Sequence, residues 1–416
     1  MLQPPAVRTL YLSLISLLCV LSHVSSAYLL VIISPAFFYL PQDVADITHN
    51  SQGLAVFLFA VAGALSSVGS KLLADWLGRK KALAISDLFL VIGTIVTISA
   101  RKSAYLIAGR ALTGIGEGLI FTLNPVYVAE LTPTRYRGVC LSSLTAAWLA
   151  SNAAALGISL VTAPLWKEMV AIGAIPAVIH LLALFIYMPE SPRWLVQQNR
   201  SEQAKTSMKW FYKGEIKAIE AFVSTEIEGI TFEIAENPEV SLSVLCSSLF
   251  SNHLTNFLYV NAYLVLFQLS GLAGFSYFSS QIMASVGFES EFSANLAATL
   301  VFLLGAVACF LNMAIVDRLG RRWILLVFVP FQGVSMLLMA LGTYLQVYTS
   351  FDSLSKWLSL TALLSYFCFV NLSTAPLSGV IPPELFPVTP KTAASQKFSV
   401  WNWVWFRLDV RSAGGY

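Results

Sequence analysis

Three groups of residues in this sequence could do chemistry. The first is a pair of charged corners, Asp75-Trp76-Leu77-Gly78-Arg79-Lys80 and Asp317-Arg318-Leu319-Gly320-Arg321-Arg322. In each, glycine allows a tight turn, and the carboxylate can pair with an arginine or cap the next helix. The second group is Arg110 and Glu117, ionisable residues inside an otherwise apolar stretch. Seven positions apart, they share one helix face about 10 Å apart, too far for direct pairing. Charge in such a stretch marks a cavity or a helix interface. Glu117 is therefore either a proton-coupling carboxylate or a partner for a neighbouring helix. The third group is neutral: Gln268, Asn371 and Asn402 can donate to and accept from ligand hydroxyls, and Trp403 can stack on a ring face. For each polar group, plain bonding between helices is the rival reading. His23 and His180 read as hydrogen-bonded packing residues. No nucleophile–base pair or metal cluster stands out, so neither enzyme activity nor a metal or cofactor is expected. The run Gly114, Gly116, Gly118 lies in an apolar segment with no strand before it, so it reads as close helix packing rather than phosphate binding.

The elements that must position these groups follow from composition. The 416 residues are 57% hydrophobic and only 11% charged, with a mean hydropathy of +0.73. Soluble domains carry roughly 25% charged residues. The apolar residues fall in blocks long enough to cross a bilayer, separated by short charged loops. A net charge of +3 is too small to suggest nucleic acid. Cys19, Cys140, Cys246, Cys309 and Cys368 are odd in number and scattered, which suggests no disulfide framework.

Ten spans are expected, each helical because backbone groups in lipid must be satisfied internally. They run Thr9 to Ile33, Gly53 to Ala74, Ala82 to Ala100, Ser103 to Ala129, Val139 to Leu165 and Met169 to Met188. The rest are Leu254 to Val286, Ala294 to Val316, Trp323 to Tyr348 and Trp357 to Pro383. The loops holding Arg79, Lys80, Lys81, Arg135, Arg137, Arg318, Arg321 and Arg322 are cytoplasmic by the positive-inside rule, although Arg101 and Lys102 run against it. The domain reading is a first bundle over 1–188, a cytoplasmic central loop over 189–253 and a second bundle over 254–416. Within the loop, the stretch from Glu215 to Glu233 is either a short helix or a solvated linker. The corner motif recurs after the second and eighth spans, the same place in each half, which indicates duplicated bundles.

Further motifs occur in order along the chain: Gly109-Arg110-Ala111-Leu112-Thr113-Gly114, then Pro125 through Glu130 to Arg137-Gly138, then Pro189-Glu190-Ser191-Pro192-Arg193, then Gln268-Leu269-Ser270-Gly271, then Pro383-Glu384-Leu385-Phe386-Pro387. Together with the corners they resemble the sugar-porter family of the major facilitator superfamily, the facilitative glucose- and trehalose-transporter-like proteins, over about residues 25 to 405. The resemblance implies an all-α membrane protein of two six-helix bundles around a central cavity, working by alternating access on a small-molecule sugar, a hexose or disaccharide. The bilayer is the surroundings, and the plasma membrane is the location implied. It also implies a cytoplasmic ion-pair network of Asp75, Arg79, Glu130, Arg137 and Glu190 in the first half, with Asp317, Arg321, Arg322 and Glu384 in the second. Lys391 stands where the family has Arg, which weakens a bidentate pair there to a point contact. Arg110 matches a family arginine; Glu117 does not match a family residue.

The departures bear on the substrate. Lys71 replaces a family glycine. Thr145 stands at a sugar-binding Gln, Phe267 at the first of a Gln pair, Ala273 at an Asn, Gly305 at another Asn and Gly379 at a Trp; Asn371 replaces an acid. Thr145, Gln268, Asn371, Asn402 and Trp403 remain as substrate-binding candidates. The first span lacks an acid, which favours facilitated diffusion over proton coupling. A proton-coupled or organic-ion carrier, or a non-transporting truncated or regulatory relative, are the alternatives. The last of these follows from the end of the chain, where an eleventh span begins near Ala393 and breaks off after Phe406 into Arg407, Asp409 and Arg411. The second bundle is thus expected to be incomplete, with ten full spans and part of an eleventh.

Overall fold

The computed structural model describes residues 5–163, 165–236, 254–288, 290–348 and 352–385. Ten helical stretches among them are long and apolar enough to cross a membrane. They match the ten expected spans, but four are broken. The first is α1 (Thr9–Val31) followed by α2 (Ile33–Asp43). Pro35 lies in the first turn of α2 and has no N–H to return to the preceding turn. The second to fifth spans are α3 (His49–Leu77), α4 (Arg79–Ile98), α5 (Ser103–Leu131) and α6 (Thr134–Thr162). The sixth is α7 (Trp166–Ile172) with α8 (Ala174–Ile186). Here Gly173 meets the side chains of Tyr28 and Leu29 so closely that a Cβ would clash.

Close packing in the first half depends on small residues of α5. A Cβ on Gly114 would strike the backbone of Phe59, and one on Gly118 the backbone of Gly63. Gly109 and Gly116 press α4 in the same way, at Gly93, Thr97 and Ser86. These contacts bear out the packing reading of the glycine run.

After the first six spans come α9 (Pro192–Gln197), α10 (Ser201–Lys209) and α11 (Ile216–Glu236). The helical alternative for the stretch from Glu215 to Glu233 is therefore the one adopted. The N-terminal strand β1 (Ala6–Val7) pairs antiparallel with β2 (Tyr212–Lys213). Tyr11 then packs its ring against Phe211 and Trp210, so the start of α1 is tied to these helices.

The second half holds α12 (Leu254–Leu269), α13 (Leu272–Ser285), α14 (Glu291–Leu319), α15 (Arg321–Tyr348), α16 (Asp352–Leu372) and α17 (Thr374–Leu385). Its seventh span breaks at Ser270-Gly271, where Gly271 adopts the left-handed φ of 85°. Its tenth breaks at Ser373. The halves meet where α6 packs on α14, and α2 on α13. Ser34 accepts a hydrogen bond from the Ser280 amide at 3.0 Å, Phe37 stacks on Phe278 and Phe59 meets Tyr277 edge-on. Tyr39 and Glu291 line a common cavity between the halves. The Ser34 and Phe37 contacts and this cavity lie at the end of the bundles opposite the Gly78 corner, the non-cytoplasmic end by loop charge.

Candidate functional site

The breaks in the second half expose backbone groups that lipid would leave unsatisfied, and side chains on neighbouring helices capture them. Tyr263 of α12 donates to the Thr374 carbonyl at 2.8 Å. Asn312 of α14 donates to the Leu372 carbonyl at 2.6 Å. At the other break, the Tyr366 hydroxyl donates to the Ser270 carbonyl at 2.8 Å and lies 2.9 Å from the Ser270 hydroxyl. The two interrupted spans are thus cross-linked through their interruptions. Gln268 lies just before one break and Asn371 just before the other, both buried at 6% and 4% exposure.

Such interruptions, with polar side chains beside them, are where bundles of this kind hold small ligands at mid-membrane depth. Asn371 spends one donor on the Phe367 carbonyl of its own helix, and its amide packs on Gly305, where a Cβ would come within 2.9 Å. Glycine at 305 therefore makes room for asparagine at 371. Thr145 is exposed on α6, the helix that packs on both α1 and α14. Asn402, Trp403 and Lys391 lie outside the described residues, as does the segment beyond Leu385.

The first half carries a polar seam along α5 and α1. Arg110 donates to the Leu29 carbonyl at 2.7 Å, and its guanidinium sits 4.2 Å from the Phe59 ring centre. Asn124 donates to the Cys19 carbonyl and the Ser22 hydroxyl and lies 2.9 Å from His23 Nδ1. Glu117, two turns from Arg110, faces Ser26. It is 2% exposed, and its Oε2 has no hydrogen-bond partner. The spacing of seven that separates Arg110, Glu117 and Asn124 places all three on the face of α5 that meets α1.

His180 adopts the packing role expected of it, but through an ion-pair geometry with Asp87, Nδ1 to Oδ2 2.7 Å, both side chains fully buried. Asp87 was not singled out from sequence. The signal was present: it is an acid inside a predicted span, the same rule that drew attention to Glu117.

At the Gly78 corner the structure assembles Asp75, Arg79, Glu130 and Glu190. Arg79 reaches Glu130 with two nitrogens, at 3.0 and 3.3 Å, and Asp75 at 3.1 Å. Ser191 donates its hydroxyl to the same Glu130 carboxylate. Glu190 accepts the backbone amides of Lys80 and Ser191 at 3.1 and 2.9 Å. Burial pushes its carboxyl above the ordinary value, and those two amides pull the other way. The Trp194 indole donates to the Asp75 carbonyl. Arg137 is exposed and forms no ion pair with any described residue, so it stands outside the cluster into which it was expected. Arg321 is half-buried and Arg322 exposed. Asp317 and Glu384 lie in α14 and α17 by backbone, and their side chains are outside what is described.

A family model described as "Sugar (and other) transporter" matches residues 20–408. Among curated relatives, the sugar transporter ERD6-like 11 of Arabidopsis thaliana is 31% identical over 356 residues, covering 83% of this chain and 72% of that protein. The glucose transporter GlcP of Staphylococcus epidermidis is 27% identical over 370 residues, covering 88% and 78%. Among solved structures, the xylose transporter XylE from E. coli, in a partially occluded inward-open conformation, superposes with a TM-score of 0.78. It is 19% identical, with 97% of this chain and 90% of that one covered; that likeness concerns the fold.

Proposed function

The chain belongs to the sugar (and other) transporter family, a multi-pass membrane protein and not an enzyme, and from that premise we propose how it moves a sugar across the membrane. The solute is a hexose or disaccharide, held between the halves beside the paired helix breaks. The observation that carries this is the cross-linked pair of interruptions at Ser270-Gly271 and Ser373, flanked by Gln268 and Asn371. Broken spans present polar groups at mid-depth without exposing unsatisfied backbone to lipid. Gln268, Asn371 and Thr145 are the described candidates for contact with hydroxyls, with Asn402 and Trp403 completing the set.

Movement is by alternating access between a first bundle over 1–188 and a second over 254–416, joined by the cytoplasmic segment 189–253. Contacts at Ser34 and Phe37 close the non-cytoplasmic end. At the opposite end Arg79 pairs with Asp75 and Glu130 while Glu190 holds the Lys80 and Ser191 amides, and this set supports a latch that trades partners with the second half in the alternate state. Arg137 is the further first-half member expected, and Asp317, Arg321, Arg322 and Glu384 are the expected counterparts in the second half. With no acid on α1, the solute runs down its own gradient.

The test is uptake of labelled glucose, xylose and a disaccharide by the purified chain in proteoliposomes, with and without an imposed pH gradient. Expected is saturable uptake of one of them that equilibrates and ignores the gradient, reduced at least about tenfold by Gln268→Ala through loss of a buried hydrogen-bonding group. Accumulation driven by the pH gradient and abolished by Glu117→Gln would instead assign coupling to Glu117 and Arg110. Absence of uptake for every sugar would reject the substrate class.

A further inference from the structure

We propose that α14 sets the position of the Asn371 amide in the solute site, with Gly305 as a notch and Asn312 as a positioning residue. The two lie seven residues apart in α14, so they share one face, about 10 Å apart. Both meet α16. Gly305 faces Phe367 and Asn371, and Asn312 reaches Leu372.

The end of α16 is held weakly by its own backbone. Regular backbone hydrogen bonds run at about 2.9–3.0 Å. Across the break in the tenth span, the Ser373 amide lies 3.4 Å from the Val370 carbonyl, and the Leu377 amide 3.4 Å from the Ser373 carbonyl. Asn312 donates to the Leu372 carbonyl at 2.6 Å. It is 2% exposed, so water cannot take over that bond. The bond falls on the residue next to Asn371 and fixes the backbone that carries its side chain.

The side chain is then set by two contacts. Its Nδ2 donates to the Phe367 carbonyl, one turn back in α16, at 2.9 Å. A Cβ at position 305 would come within 2.9 Å of the same nitrogen and 3.4 Å of the Phe367 ring. Nδ2 therefore occupies space that any larger residue at 305 would claim. With one amide hydrogen committed, Oδ1 and the second hydrogen are left for a solute hydroxyl. Hydrogen bonds weaken steeply with angle, so a swing of the amide loses that contact. The role depends on Asn371 touching the solute, as proposed above. A residue that acts through this amide has no effect once the amide is gone, whereas a residue that only packs keeps its effect.

The experiment is initial-rate uptake by the full chain in proteoliposomes, with labelled glucose, xylose and trehalose as probes. For the sugar taken up, Gly305→Ala and Asn312→Ala should each raise KM at least about fivefold, with Vmax within about twofold of the parent. Asn312→Gln keeps the donor and should recover part of the change. In an Asn371→Ala background neither substitution should raise KM further. Gly305→Ala leaves every hydrogen bond of the break in place, so it carries the test if Asn312→Ala lowers the melting temperature. An unmoved KM in a folded variant, or an equal rise with and without Asn371, would overturn the proposal alone. An unmoved KM in Asn371→Ala by itself, or no uptake of any of the sugars, would overturn the reading of the solute site and the proposal with it.

Discussion

At Gly78 the chain turns from α3 into α4 with φ 92° and ψ 161°, and at Gly320 from α14 into α15 with φ 78° and ψ 152°. The backbone is nearly the same at both corners, and so is the sequence around them. The surroundings differ. A Cβ at Gly78 would run into the Glu190 carboxylate and the Trp194 ring, whereas one at Gly320 would meet none of the described residues within 4 Å. Glu190 and Trp194 come from the segment that follows the first six spans. The repeated motif therefore specifies a backbone turn, and at Gly78 a charged cross-link of Asp75, Arg79 and Glu130 is built on it, to which Ser191, Glu190 and Trp194 of the following segment add hydrogen bonds. The second half is held at its helix breaks by neutral hydrogen bonds from Tyr263, Asn312 and Tyr366.

The largest effect should come from breaking that cross-link. Arg79 and Glu130 have side chains only 9% and 11% exposed, so Arg79→Ala leaves carboxylates buried without their partner. A loss of about 3–5 kcal/mol is expected, read as a fall in melting temperature in detergent. Arg79→Lys should recover part of it, because the charge remains but the two-pronged contact does not. A loss below about 1 kcal/mol for Arg79→Ala would mean that the cluster does not hold the corner.

The glycine pair sharpens the comparison directly. Gly320→Ala should cost about 1–3 kcal/mol, because φ 78° with ψ 152° is a region open essentially to glycine alone. Gly78→Ala bears that penalty plus the clash, about 2–4 kcal/mol in all. Equal effects would erase the distinction between the corners.

In the second half, Tyr263→Phe removes one neutral bond from the break in the tenth span. The expected loss is about 1 kcal/mol, smaller than at Arg79, and measurable in the same melting experiment. The smallest effect concerns pH. Glu190 has its carboxyl raised by burial, so the unfolded chain gives up this proton first as pH rises. Its contribution to stability is fully present below the unfolded value and is lost as pH rises through the folded one. Glu190→Gln should flatten that part of the melting-temperature profile; an unchanged slope would place the buried charge elsewhere.

Much of the fold was legible because span-forming hydropathy is a local sum. The ten spans, the corner repeat and the small-residue packing of α5 all follow from residues close in sequence. The interruption at Gly271 was less visible, because it lies within a continuous apolar run and its polar groups are satisfied from distant helices. The site was legible as a set of candidates rather than as an arrangement. Gln268 and Asn371 stood out as amides in apolar segments, but nothing local showed that both flank helix breaks. Asp87 was overlooked, and Arg137, chosen for its place in a motif, lies outside the cluster. The bond from the Ser280 amide to Ser34 joins residues 246 positions apart and has no sequence signature.

The sequence by itself determined that this is a helical membrane protein of two related halves, because burial in lipid constrains every apolar run to a helix whatever its neighbours. Only the tertiary structure decided which of its charged and polar groups became partners. Pairing energy depends on distance and burial, and helix packing sets both between residues the chain keeps far apart.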